Sequence, residues 1–322
     1  MHPLERNSAH FPCVFCSVIT MLMQWAHPSR QFFKPFLTTV TLTLLSCLIL
    51  GCQTPRPRNP AIANIDAVLW TQTAAEHEAA FLGVYHTAKQ MLQVHLKDPT
   101  FSALDEQRTN TVTGKPPAVI LDLDETVLNN IDFQGECIHR GTNFDATLWK
   151  EWVELERASA LPGAVDFCRF AESNDVKLIY VTNRGEKCSD TERQRQKATT
   201  KANLDRLGLP VADDSILMPG DKPEWTTDKT SRRFFVAEKY RVLALIGDDL
   251  GDFVSVANRT VEERLNLVRK HQANWGTSWF ILPNPMYGSW IRTLTAKAPK
   301  DPLQAQQWKI EQLPSMSPEK PR

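Results

Sequence analysis

Ala118-Val-Ile-Leu-Asp-Leu-Asp-Glu-Thr-Val-Leu128 is the stretch that decides the fold. An apolar, β-branched run that ends at a carboxylate, Asp122, reads as a strand buried on both faces. A second carboxylate, Asp124, follows two residues on. Both acids therefore fall at the C-terminal end of the strand, where open α/β sheets bind ligands. Two close carboxylates repel and raise each other's pKa unless a cation lies between them. Charge this costly at the mouth of a buried strand points to a divalent metal and a reaction.

Two similar runs lie downstream. Lys177-Leu-Ile-Tyr-Val-Thr182 leads into the turn Asn183-Arg184-Gly185, and Arg241-Val-Leu-Ala-Leu-Ile246 ends in Gly247-Asp248-Asp249. A short strand is expected at Ile216–Met218. Between the strands, helical patterns run through Thr147–Glu156, from Pro162 to near Asn174, from a Ser189 or Asp190 cap to Gly208, and over Arg232–Lys239. Upstream, Trp70, Ala74, His77, Phe81, Val84, Ala88 and Met91 recur at helical spacing, with Asp66 as the expected cap. They predict one long helix from Ala67 to near Asp98-Pro99. His77, His86 and His95 are nine residues apart, which is not the i,i+4 spacing of a helical metal site, so they read as structural. Alternating strands and helices predict an α/β fold with a parallel, doubly wound sheet.

The chain has 322 residues, 42% of them hydrophobic, enough for a sizeable core. Formal net charge is zero, which gives no support to a nucleic-acid polymer as partner. No glycine-rich phosphate loop of the P-loop or dinucleotide kind is present.

In a parallel sheet the strand ends converge on one rim. Asp122 and Asp124, Thr182 and Asn183, and Asp248, Asp249 and Asp252 then meet there, with Lys229 just upstream of the last strand. Carboxylates for a hard cation, a hydroxyl and an amide for anionic oxygens, and one ammonium suit phosphoryl transfer.

These motifs resemble those of the haloacid dehalogenase (HAD) superfamily. Asp122-Leu-Asp-Glu-Thr126 is similar to its first motif, Thr182 to the second, Lys229 to the third and Asp248–Asp252 to the fourth. More narrowly the chain resembles the class C acid phosphatases, the lipoprotein e (P4) group. Further carriers are Leu69-Trp-x-Gln-Thr73, Trp149-x-x-Trp-Val153, Leu161-Pro-Gly-Ala-Val165, Tyr180-Val-Thr-Asn-Arg184 and Leu282-Pro-Asn-Pro-Met-Tyr-Gly-Ser-Trp290.

The resemblance implies a HAD-like Rossmannoid sheet flanked by helices, with a small, mainly helical cap insertion near 129–160 and an N-terminal helix. It implies a Mg2+-dependent acid phosphatase. Asp122 would be the nucleophile and Asp124 the general acid and base. The ion would lie on Asp122, the backbone carbonyl of Asp124, and Asp248. Thr182 and Asn183 would hold phosphate oxygens, Lys229 would neutralise the phosphoryl group, and Asp252 would orient Lys229 or a metal-bound water. Trp149 and Tyr287 match two aromatic rings that sandwich a nucleobase in the family, which implies nucleoside 5′-monophosphate substrates. A homodimer is the assembly the resemblance allows.

Rival readings stand beside these. Asp252 could cap the following helix, and Lys222 competes with Lys229. Arg184 could brace the site or form a nearby ion pair. Trp149 could pack the insertion against the main domain, whereas Trp152 reads as core. Asp249 stands where the family often carries Asn. Glu125 and Asp132 are expected to be solvated or to back the site acids. Two broader alternatives remain: a non-nucleotide phosphomonoesterase, and a non-catalytic envelope lipoprotein using the fold as a binding module.

The first 51 residues read as a signal peptide. Arg6, Arg30 and Lys34 precede an uncharged apolar stretch from Pro35 to Gly51, which closes on Ile49-Leu50-Gly51-Cys52. The end resembles a bacterial lipobox, implying lipid on Cys52 and a membrane partner through that lipid. Gln53 follows, so the outer membrane of the cell envelope is the expected location. The rival is an uncleaved anchor, for which the stretch is short against the roughly 20 apolar residues of a span. The lead before Lys34 is long for a signal, and Met21 and Met23 are alternative starts. Residues 52–65 read as a proline-rich tether, 66–296 as the catalytic domain and 297–322 as a flexible tail. Besides Cys52 the mature part keeps Cys137, Cys168 and Cys188, an odd number that permits at most one pair.

Overall fold

The computed structural model describes residues 64–108, 112–209 and 211–314. The expected signal peptide, the Cys52 lipidation site and most of the tether lie outside the described residues. Among the described residues no helix is long and apolar enough to cross a membrane.

A five-stranded sheet carries the fold, with strand order β5-β4-β1-β6-β7. The strands are β1 (Pro117–Leu121), β4 (Lys177–Val181), β5 (Ile216–Leu217), β6 (Arg241–Gly247) and β7 (Trp279–Ile281). Each pairs in parallel with its neighbours. β1 is central, and its last residue, Leu121, faces Tyr180 of β4 and Ile246 of β6. Asp122, Thr182 and Asp248 therefore leave the sheet at nearly the same level.

The buried strand pattern follows from layers on both faces. Val119, Leu121, Leu178, Tyr180 and Leu243 join one core, with Phe81, Tyr85, Ala88 and Leu92 of α2 (Ala75–Leu96) and Phe167 and Cys168 of α6 (Ala164–Glu172). Ala118, Ile120, Ile179, Val181, Val242 and Leu245 join the other, with Val236 and Ala237 of α8 (Thr230–Lys239). Alternate strand residues thus supply opposite cores, the period-two logic of a strand.

The insertion leaves from Leu128. β2 (Leu128–Asn129) pairs antiparallel with β3 (Ser159–Ala160), which closes the neck. Between them lie α4 (Ile131–His139) and α5 (Ala146–Leu155), the latter capped by the Asp145 side chain on Leu148 N.

Two expectations about the helices are corrected. The single N-terminal helix is two, α1 (Ile65–Thr73) and α2, because Ala74 is extended at φ −77°, ψ 124°, and Asp66 lies inside the first turn rather than at the cap. The helix expected from Pro162 begins at Ala164. Gly163 precedes it at φ +83°, where a Cβ would lie 2.9 Å from Cβ of Tyr85. The expected flexible tail contains α11 (Pro302–Glu311), capped by Asp301 on Gln304 N, none of whose residues is buried. Cys137, Cys168 and Cys188 are all free thiols, so no pair forms among them. Burial pushes the Cys168 thiol up to about 12, the mark of an inert core cysteine.

His77 and His95 are buried. His77 packs between Trp70 and Phe81, and His95 stacks on Phe101 at 3.5 Å and bonds Leu243 O.

Candidate active site

Asp122 stands one residue beyond β1, its N–H on Ile246 O at 2.9 Å. The chain then folds tightly. Leu123 O accepts from the N–H groups of Thr126, Val127 and Leu128, and Glu125 takes the left-handed conformation at φ 57°. This turn holds the acidic loop at the rim while Leu123 and Val127 are driven into the core.

Lys229 reaches the same rim from the N-terminus of α8. Its Nζ lies 2.6 Å from Asp122 Oδ1 and 2.6 Å from Asp252 Oδ1, and all three side chains are nearly buried. Asp252 comes from a 3-10 turn (Leu250–Asp252) after β6. Its second oxygen accepts Asp249 N at 2.9 Å, so it caps that turn and holds Lys229 together. Gly247 has no side chain where that carboxylate packs against the backbone. Lys222, the rival for the third motif, lies elsewhere, over the rings of Phe235 and Trp225.

Oxygens of Asp122, Asp248 and Asp252 all lie within 4.8 Å of one another. Asp248 accepts from Thr126 Oγ1 at 3.2 Å and Asn284 Nδ2 at 2.8 Å. Burial, and the Asp122 and Asp252 charges beside it, push Asp248 well above the usual carboxylate range. Burial likewise raises Asp122, against the pull of Lys229, and lifts Asp252 to about 7. Three carboxylates against one ammonium leave negative charge that a divalent cation would neutralise. An oxygen-only donor set of this kind fits a hard cation.

The carboxylate of Asp124 turns away from this cluster. Arg184 grips it, Nε at 3.0 and 3.1 Å from the two oxygens and Nη2 at 2.7 Å from Oδ1. Asn130 Nδ2 adds a bond to Oδ1 at 2.9 Å. The resemblance places the ion on Asp122, Asp248 and the backbone carbonyl of Asp124, so this side chain is not needed as a ligand; the third carboxylate beside Asp122 and Asp248 is that of Asp252.

Thr182 is fully buried, and its hydroxyl accepts Arg184 N at 3.1 Å. Asn183 is exposed, and its amide is engaged in bracing. Nδ2 donates to Thr227 O at 3.0 Å, and Oδ1 accepts from Arg232 Nη2 at 2.7 Å. Arg232 itself is fully buried and also donates to Thr182 O, Leu217 O and Thr226 O. It bolts the end of β4 to the segment that leads to Lys229. Sequence reading passed over it, because an arginine in a helix ordinarily reads as a solvated charge. Desolvation lowers its pKa to about 10.

Trp149 of α5 is half-buried. It packs edge-on to Phe133 at 4.9 Å and near Phe144 at 6.4 Å, and the Arg184 guanidinium lies over it at 5.4 Å. Trp152 is core, with Nε1 donating to Asn130 Oδ1 at 2.8 Å. The Tyr287 hydroxyl donates to Glu125, which is buried, while Asp132 is exposed. Burial, more than the Asp124 charge, raises Glu125 to about 8. Asp249 docks the Tyr287 segment. Its carboxylate accepts from Ser289 N and Oγ and from Gly251 N, and these bonds hold its pKa low although burial opposes charge.

The profile of a family described as HAD superfamily, subfamily IIIB (acid phosphatase), matches residues 51–290. A structure of the class C acid phosphatase from Bacillus anthracis superposes with a TM-score of 0.69 at 30% identity, covering 80% of this chain and 100% of that one. A second structure of that enzyme, with tungstate bound, gives 0.68 at 29% identity over the same coverage. Among curated proteins, the stem 28 kDa glycoprotein of Glycine max is 28% identical over 52% of this chain and 58% of its own length. Acid phosphatase 1 of Solanum lycopersicum is 27% identical over 52% of this chain and 57% of its own length. The chain thus spans little more than half the length of the curated relatives it matches. With the profile covering most of the sequence and the fold shared along the full length of the bacterial structure, the chain belongs to the HAD superfamily, subfamily IIIB acid phosphatases.

Proposed function

We propose that this chain is a Mg2+-dependent acid phosphatase that hydrolyses nucleoside 5′-monophosphates at the cell envelope, anchored by lipid on Cys52. The observation that carries the chemistry is Lys229 Nζ, 2.6 Å from Asp122 and 2.6 Å from Asp252, beside Asp124 two residues from the nucleophile.

An Asp122 oxygen attacks phosphorus in line. A bond forms between them, the ester P–O bond breaks, and its electron pair leaves with the alcohol oxygen. Asp124 gives that oxygen its proton and then takes one from the water that attacks the aspartyl-phosphate, releasing phosphate and regenerating Asp122. Lys229 offsets the charge of the phosphoryl oxygens and favours the ionised form of Asp122 against the effect of burial. The Thr182 hydroxyl, whose oxygen already accepts Arg184 N, is free to donate to a phosphate oxygen. A divalent cation on Asp122 and Asp248, when bound, supplies further positive charge at the transferred group. The tungstate-bound relative supports a tetrahedral oxyanion as the ligand.

Nucleotide preference rests on Trp149 and Tyr287, two aromatic rings tied to the Asp124 loop through Arg184 and Glu125. Stacking contributes about 1–3 kcal/mol per base and tolerates different bases. The test is phosphate release from a panel of nucleoside monophosphates and 4-nitrophenyl phosphate near pH 5–6, with magnesium and with EDTA. Trp149→Ala with Tyr287→Ala should raise KM for nucleotides and spare the aryl ester. Equal loss on both would favour the broad phosphomonoesterase, and no release from folded, metal-loaded protein would favour a binding module.

A further inference from the structure

We infer that Arg184 is a positioning residue: it sets the Asp124 carboxylate toward the leaving group and ties that setting to the Trp149 ring. The inference rests on the reading of Asp122 and Asp124 given above and assigns to Arg184 a part in substrate discrimination.

Arg184 has 2% of its side chain exposed, so its orientation is fixed by packing. The guanidinium spans both Asp124 oxygens, Nε at 3.0 and 3.1 Å and Nη2 at 2.7 Å. A planar fork on a carboxylate fixes the plane of the acid, which a point charge does not. The remaining nitrogen, Nη1, donates to Thr200 Oγ1 at 3.0 Å. Thr200 is fully buried on α7 (Asp190–Arg206), so the fork is anchored on a rigid helix rather than on a loop. The guanidinium carbon lies over the Trp149 ring of the insertion, 5.4 Å from its centre. The backbone N–H of the same residue holds the Thr182 hydroxyl at 3.1 Å.

One side chain thus contacts the acid, the base-stacking ring and a scaffold helix, and its backbone contacts the hydroxyl at the end of β4. On its other side Asp124 meets Asn130, whose own amide oxygen is held by Trp152 Nε1 at 2.8 Å. Asp124 therefore has one available setting, and Arg184 supplies most of it.

Chemistry gives this arrangement a readout. When the ester P–O bond breaks, the electron pair goes to the leaving oxygen. A nucleoside 5′-oxygen needs a proton at that moment, whereas 4-nitrophenolate leaves with little help. Misplacing Asp124 therefore harms alkyl esters far more than the aryl ester. Loss of general fold integrity harms both alike.

The experiment compares kcat/KM for a nucleoside 5′-monophosphate and for 4-nitrophenyl phosphate in the full chain with magnesium. Arg184→Gln is expected to lower the nucleotide value by about 100-fold and the aryl value by less than about tenfold. Arg184→Lys, which keeps the charge without the fork, should recover only part of the nucleotide loss and carries the comparison if Arg184→Gln does not fold. Trp149→Ala should cost less in the Arg184→Gln background than alone, because the two act through one path. Equal losses on the two esters, full recovery by lysine, or additive effects of Trp149 and Arg184 would overturn the assignment. Absence of wild-type turnover would instead overturn the phosphatase reading itself, so the two failures are separable.

Discussion

Asp252→Asn should flatten the pH dependence of stability in protein stripped of divalent cations. Burial, opposed by Lys229 and aided by the Asp122 charge, lifts Asp252 from the ordinary 3.8 to about 7. Between those values the folded chain holds a proton that the unfolded chain has released. Stability from this group therefore falls as pH rises from about 4 to about 7, then levels off. Each tenfold difference in proton affinity is worth about 1.36 kcal/mol, so the whole window amounts to about 4 kcal/mol. Between pH 5 and pH 8 the share is about 3 kcal/mol, roughly 6–12 °C in Tm for a domain of this size.

Two histidines work in the opposite sense. Burial lowers His77 and His95, so their contribution grows as pH rises through their titration. They are unchanged in the variant, and the difference between wild type and Asp252→Asn removes them. The assay is thermal unfolding by circular dichroism from pH 4.5 to 8 in EDTA, for both proteins. Wild type should lose stability relative to the variant by that margin, and magnesium should restore most of it, because the cation neutralises the cluster. Parallel profiles for the two proteins in EDTA would refute the argument that Asp252 is held neutral by its surroundings.

Three further outcomes follow from the same contacts. Asp122→Asn should lower phosphate release by about a thousandfold or more while raising the metal-free Tm at pH 8, since it removes one charge from the cluster; stopped phosphate assays and melting curves check both. Lys229→Met leaves Asp122 and Asp252 buried without their ammonium. It should cost about 3–5 kcal/mol at pH 8 in EDTA by urea unfolding, with turnover about 10²–10³-fold lower. Gly163→Ala meets Cβ of Tyr85 at 2.9 Å in a left-handed conformation and should lower the urea midpoint by the equivalent of about 1–3 kcal/mol, with no change in KM.

Much of the fold was legible because buried parallel strands are written as uninterrupted apolar runs. β1, β4 and β6 fall where those runs predicted. β7 escaped notice because three residues give too little pattern, and its place is set by pairing with β6. The break at Ala74 was hidden for a similar reason: apolar spacing continues across it, and no proline or glycine marks the extended residue. At the site, the acids and Lys229 could be named from sequence because each stands at a strand end or a helix start. Their division of labour could not.

The sequence by itself determined the parallel sheet, the rim on which four motifs meet and the excess of carboxylates there, because strand ends and charge are local properties of the chain. Tertiary structure alone decided that Arg184 belongs to Asp124, that Arg232 is a buried bolt, that Asn183 braces Thr227, and that Asp249 anchors the Tyr287 segment. Apart from Arg232 and Thr226, which are six residues apart, those partners lie 40 to 60 residues apart along the chain. An ionic or amide side chain shows no preference for a distant partner until burial removes water as the alternative.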